Sequence, residues 1–129
     1  MLPQDACGDG EDEINSVRLR ARAKPSTDSY PVSEYHSLIV PKRHVKTYFE
    51  LTNEEIHACN DLILKTKEKI LKQDFSVKGF NIGTNAGKVA GQSIMHCHIH
   101  LIPRREWDVE DPQGGVRSVI PKKQHYKRK

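Results

Sequence analysis

At 129 residues, with 36% hydrophobic and 29% charged side chains, the chain has the length of one ordinary domain around a single core. It holds no apolar run of the roughly 18 residues that a membrane span needs, and its acidic start, MLPQDACGDGEDE, is the reverse of a signal peptide; a cytoplasmic protein is expected. The net charge of +4 is polarised, with Asp5, Asp9, Glu11, Asp12 and Glu13 at one end and Lys122, Lys123, Lys127, Arg128 and Lys129 at the other.

Residues 1–13 read as an acidic flexible leader, residues 14–121 as one domain and residues 122–129 as a basic tail. Cys7, Cys59 and Cys97 are odd in number and lack a CxxC pair, which points to free thiols rather than a disulfide framework or a cysteine zinc knuckle. VRLRARAK, residues 17–24, alternates apolar and basic positions, the pattern of a half-buried strand with a basic outer face. Residues 25–31, with two prolines, form a loop. Leu38, Ile39 and Val40 make a buried strand that stops at Pro41, and the following Lys42, Arg43 and His44 read as solvated or structural.

From Thr52 the period changes. Thr52 and Glu55 fit a capping box, and Ile56, Cys59, Ile63 and Ile70, flanked by Leu62 and Leu71, recur at helical spacing, so a helix is expected over 53–73. Acid-before-base pairs four apart, Asp61 with Lys65 and Glu68 with Lys72, support it. Phe80 and Ile82 begin a second strand run that breaks at Gly83. The loop that follows, GTNAGKVAG, is not a Walker A loop: three residues rather than four separate Gly83 and Gly87, and Val89 stands where that motif needs a magnesium-binding hydroxyl. It remains a loop whose backbone N–H groups can approach an anion, because Gly87 and Gly91 remove side-chain bulk.

GQSIMHCHIHLIPR, residues 91–104, places His96, His98 and His100 at every second position. Read as a strand over 93–102, it puts the three imidazoles on one face, alternate Cα atoms about 6.5 to 7 Å apart, with Cys97, Ile99 and Leu101 under the helix. Zinc is one reading, two of these rings closing on an ion with His36 as a third ligand. Covalent catalysis is another, a neutral imidazole attacking phosphorus while its neighbours handle protons and charge. A row of solvated surface histidines is the plain alternative. For the basic tail, solvation competes with nucleic-acid binding, which is poorly supported because Tyr126 alone interleaves the basic residues.

HCHIHLI, with GQS upstream, resembles the His-x-His-x-His-x-x signature of the histidine triad superfamily of nucleotide hydrolases and transferases. YPVSEYHSLIVPKRHV and DVEDPQGGVR are also similar to stretches of that family, and HLIPR is closest to its bacterial dinucleoside polyphosphate hydrolases. The resemblance implies an α+β fold, an antiparallel sheet of about five strands with the 53–73 helix on one face, and a homodimer.

The same resemblance makes His98 the nucleophile toward an α-phosphate, through a nucleotidyl-histidine intermediate that water resolves to a monophosphate. His96 would support the site and His100 would contact the phosphate or bridging oxygen. Gln92 and Ser93, with the backbone of Gly91 and Ile94, would bind the α-phosphate, Ser93 also assisting the leaving group. Asn85 would contact the nucleotide and Asp28 the ribose hydroxyls. From the sequence itself, Arg104 and Arg105 add positive potential at the site mouth, although nothing in their spacing selects a phosphate. Trp107 would anchor the C-terminal segment or shape a partner's pocket. Purine nucleoside phosphoramidase activity and a non-catalytic nucleotide-binding regulatory module are the alternatives. Many bacterial relatives hold a structural zinc through a CxxC and histidines at the positions of His36 and His96; with Cys7 standing alone, no metal or other cofactor is expected here.

Overall fold

The computed structural model describes residues 13–22 and 33–126, and for Ala21 and Arg22 the backbone only. Five strands, β1 (Glu13–Ile14), β2 (Val17–Arg22), β3 (His36–Pro41), β4 (Val77–Gly83) and β5 (Ile99–Arg105), form one antiparallel sheet in the order β1-β2-β3-β5-β4. Among the described residues a single α-helix, α1 (Asn53–Gln73), packs over β1, β2 and β3.

The helix begins where its capping chemistry places it. Thr52 Oγ1 accepts from the Glu55 amide at 3.1 Å, and Glu55 Oε1 accepts from the Thr52 amide at 2.8 Å, so two of the orphan N–H groups of the first turn are satisfied. Ala58, Cys59, Leu62, Thr66 and Ile70 form the buried stripe. They meet Val17, Leu19, Ile39, Ile99 and Leu101, the alternate residues of β2, β3 and β5 that point to the same side of the sheet. Removing this apolar surface from water, at about 25 cal/mol per Å², is the main force holding helix and sheet together.

The other face of the sheet carries what the core excludes. Register sets Arg20 opposite Leu38, Leu38 opposite His100 and His100 opposite Gly83, a single row running across β2, β3, β5 and β4. Arg18 lies opposite Val40 in the next row of the same face.

Three expectations are corrected. The strand expected over 93–102 begins at Ile99, so of the three histidines only His100 belongs to the ladder. Pro41 has no amide to extend the β3 pairing, and the Cys97 amide donates instead to the Val45 carbonyl at 2.8 Å. Side-chain alternation nevertheless persists through the extended segment, with Cys97, Ile99 and Leu101 buried and His96, His98 and His100 partly exposed. Glu13, assigned to the leader, pairs in β1; residues 1–12, Cys7 among them, lie outside the described residues, as do 23–32 and 127–129.

The boundary drawn at residue 122 is not a structural one. The 3-10 turn Pro121–Lys123 folds back on the segment before it: Arg117 Nε donates to the Lys123 carbonyl at 3.0 Å, and the Arg117 guanidinium lies 4.8 Å from the Tyr126 ring centre. Gly114, at φ 92°, permits this fold, since a Cβ there would collide with the Gln124 carbonyl.

Candidate active site

The polar face of the sheet opens into a cleft of about 730 Å³. It brings together Asn85, Gly91, Ser93, Ile94, His96, His98 and His100. Asp28 lies outside the described residues. Gln92, the remaining expected contact, is absent from the cleft wall.

Gln92 is 3% exposed, and its amide is fully engaged with backbone. Oε1 accepts from the Gly87 amide at 2.8 Å, while Nε2 donates to the carbonyls of Lys46 at 2.8 Å and Ile94 at 3.0 Å. The Gln92 amide also donates to the Gly87 carbonyl at 3.1 Å. These bonds tie residues 87–94 into a closed loop and join it to the chain after β3. Gly87 and Gly91 adopt φ of 98° and 100°, conformations that a side chain would strain. The side chain expected at the phosphate is therefore the one that shapes the loop, leaving Ser93 and the backbone of Gly91 and Ile94 on the cleft.

The histidines are held one by one. His98 Nδ1 donates to the backbone carbonyl of His96 at 2.8 Å; a carbonyl has no proton to give, so the neutral ring keeps its hydrogen on Nδ1 and its lone pair on Nε2. Thr84 Oγ1 donates to the His98 carbonyl at 2.7 Å and fixes the backbone from the β4 side. His96 Nε2 donates to the Pro41 carbonyl at 3.0 Å, and its ring meets that of His44 edge to face at 4.7 Å. His100 Nδ1 and His36 Nε2 are 2.9 Å apart, with the His98 ring 5.2 Å from that of His100.

His36 and His44 were not expected in these roles. The sequence offers His36 only as a potential metal ligand; the β3–β5 register that carries it to His100 becomes visible once the strands are paired. The zinc reading does not fit the described donors. His36 Nε2 is turned to His100 and His96 Nε2 to a carbonyl, while Cys59 and Cys97 are buried in the core. Burial pushes both thiols up, Cys59 to about 11, which disfavours the thiolate a metal requires.

Arg104 and Arg105 have their charge committed within the fold. Arg104 is paired with Asp108 and also donates to Asn81 Oδ1, and Arg105 reaches Asp74 at 2.8 Å. Among the described residues, the cations on the cleft wall are Arg18, Arg20 and Lys42. A second cavity, of about 510 Å³, adjoins the cleft through Asn85 and His100 and has Ile82, Ile102, Val116 and Val119 among its walls.

Comparison with known proteins is consistent with this geometry. Residues 24–107 match the model of the HIT domain. The chain is 41% identical over 95 residues to an uncharacterized HIT-like protein of Methanocaldococcus jannaschii, covering 71% of this chain and 70% of that one. It is 37% identical over 83 residues to a bis(5'-adenosyl)-triphosphatase of Dictyostelium discoideum, covering 63% of this chain and 54% of that one. Among solved structures, a hypothetical histidine triad nucleotide-binding protein from Sulfolobus tokodaii superimposes with a TM-score of 0.63 at 30% identity, covering 77% of this chain and 62% of that one.

Proposed function

The chain belongs to the HIT family, and from that premise we propose that it hydrolyses dinucleoside polyphosphates at the α-phosphate through a nucleotidyl-histidine intermediate. The observation that carries the proposal is the hydrogen bond from His98 Nδ1 to the His96 carbonyl, which leaves Nε2 as the basic nitrogen on a cleft beside a glycine loop.

In the first step Nε2 of His98 forms a bond to the α-phosphorus, and the bond from phosphorus to the bridging oxygen breaks. The leaving nucleotide departs with that oxygen and both bonding electrons. The His96 carbonyl supports the ring as it becomes cationic. Amides of the 91–94 segment, the Ser93 hydroxyl and the His100 ring donate to oxygens on which negative charge redistributes. Water then cleaves the phosphorus–nitrogen bond, releasing a nucleoside monophosphate and regenerating His98. The apolar cavity beside His100 supplies walls against which a nucleoside can pack. The same reading includes a homodimer, supported by the β4 edge, which no other described strand pairs, and by the exposed Val116, Val119 and Ile120.

The test is incubation with diadenosine tetraphosphate radiolabelled in the α-phosphate. Adenosine monophosphate release and label retained on quenched protein are expected, both reduced about a thousandfold or more in His98→Ala. Unimpaired turnover by a folded His98→Ala protein overturns the proposal. Binding with neither release nor labelling in the wild-type chain indicates a regulatory nucleotide-binding module instead.

A further inference from the structure

The cationic wall of the cleft is not needed for attack on a single phosphate. β2 alternates Val17 and Leu19, buried under α1, with Arg18 and Arg20, which share the other face with the triad. The Arg20–Leu38–His100 row places Arg20 two strand spacings from His100, about 10 Å between Cα atoms. Lys42 follows the last residue of β3 and lines the same wall. All three cations therefore stand on the β2 side of the triad, whereas the 91–94 segment and its amides lead into it from the chain ahead of β5.

Their counter-charges differ. Lys42 Nζ donates to Glu13 Oε1 at 2.7 Å, and Arg18 lies 3.6 Å from the other oxygen of that carboxylate. Lys42 holds the Glu13 carboxyl below its ordinary range, through the hydrogen bond first and through charge second. One carboxylate thus serves two cations, and among the described residues Arg20 has no carboxylate partner. A cleft wall with surplus positive charge attracts a ligand with more than one phosphate, because each further phosphate adds about one negative charge that the α-phosphate site does not neutralise. Arginine is suited to this because its planar fork can bond two phosphate oxygens at once.

We infer that Arg18, Arg20 and Lys42 form a polyphosphate subsite of the triad cleft that binds the phosphates beyond the one attacked and selects long phosphate chains over single-phosphate substrates. The inference rests on the proposed nucleotide hydrolysis for its kinetic consequence, but the binding it requires does not depend on turnover. Glu13 acts as an internal competitor, occupying Lys42 and Arg18 until a phosphate chain displaces it.

Two measurements test the subsite. Inorganic tripolyphosphate titrated into the full chain in a calorimeter should bind with an affinity that falls about tenfold in Arg20→Gln and rises in Glu13→Gln. Equal affinity in the wild-type and Arg20→Gln proteins, both shown folded by circular dichroism, overturns the inference whatever the catalytic result. In turnover, the ratio of kcat/KM for diadenosine tetraphosphate to that for adenosine phosphoramidate should fall about tenfold in Arg20→Gln. The rate with the tetraphosphate should also depend more steeply on salt than the rate with the phosphoramidate. An unchanged ratio, or equal salt slopes, likewise counts against the subsite. Absence of hydrolysis and labelling in the wild-type chain, with tripolyphosphate binding intact, would instead overturn the hydrolase proposal and leave the subsite standing.

Discussion

His36 Nε2 and His100 Nδ1 stand 2.9 Å apart across the β3–β5 pair, so one ring must offer a bare nitrogen to the N–H of the other. While the bond stands, at most one of the two rings is cationic. When His36 is the donor, the hydrogen on His100 sits on Nε2, where it can be given to a phosphate oxygen. His36 is 3% exposed and absent from the expected nucleophilic machinery; it acts as a positioning residue for His100. His36→Leu should lower kcat by about tenfold to a hundredfold, within the range a positioned acid or base contributes, with a smaller effect on KM. His36→Gln, which retains a donor, should restore part of the loss. Equal damage from both substitutions would indicate a packing role alone.

The carbonyl of His96 makes a prediction about His98 that needs no substrate. In protein labelled with nitrogen-15 at histidine, the neutral form of His98 should carry its proton on Nδ1 and show a bare Nε2 by magnetic resonance. A neutral ring protonated at Nε2 would leave no lone pair for the attack.

Gln92 offers a choice between two roles. If it closes the loop as its bonds indicate, Gln92→Ala strands the Gly87 amide and the Lys46 and Ile94 carbonyls and destabilises the fold by about 1 to 3 kcal/mol. The urea midpoint should fall, together with nucleotide affinity. A midpoint equal to that of the wild type, with catalysis impaired, would return Gln92 to the phosphate contact expected from the GQS motif.

Glu55 links the start of α1 to the end of β3. Besides capping the helix it takes two bonds from Arg43, at 3.0 and 2.8 Å. The Arg43 hydrogen bonds, opposed by burial and aided by Thr52, hold its carboxyl at about 2 against an ordinary 4.5. Because the folded value is the lower one, this contribution is fully present above about pH 4.5 and is lost as pH falls toward 2. Acid unfolding monitored by circular dichroism should show that loss, and Glu55→Gln should flatten it while reducing stability at neutral pH. An identical acid profile in Glu55→Gln would remove Glu55 as its source.

On the buried face of α1, Thr66 is 4% exposed, and its hydroxyl has no hydrogen-bond partner among the described residues. Thr66→Val replaces that hydroxyl with a methyl group and should raise stability by about 1 kcal/mol in urea denaturation. A loss of stability would mean that the hydroxyl is satisfied in solution.

Periodicity and capping were enough to identify α1 to the residue, because Thr52 and Glu55 mark its start and the apolar stripe persists to Ile70. The inward alternation of Cys97, Ile99 and Leu101 was equally legible. The strand boundary at Ile99 was not, since it depends on where the Cys97 amide finds an acceptor, and that acceptor, the Val45 carbonyl, is distant in sequence. The same limit hid the structural use of Gln92. A motif reports which residue types occur near an anion, but which of them turns toward it depends on backbone carbonyls that no spacing displays. Arg18 and Arg20 read as surface charge for a related reason: period two assigns them a face, and only strand pairing shows that this face also carries the triad.

The Gln92 knot has a thermodynamic corollary. A loop closed by bonds within the protein is already shaped when a nucleotide arrives, so little conformational entropy remains to be lost at the phosphate. While the Gln92 bonds hold, differences in affinity between ligands should come from the charge and length that each ligand brings, and loosening the 87–94 segment should cost affinity for all of them alike.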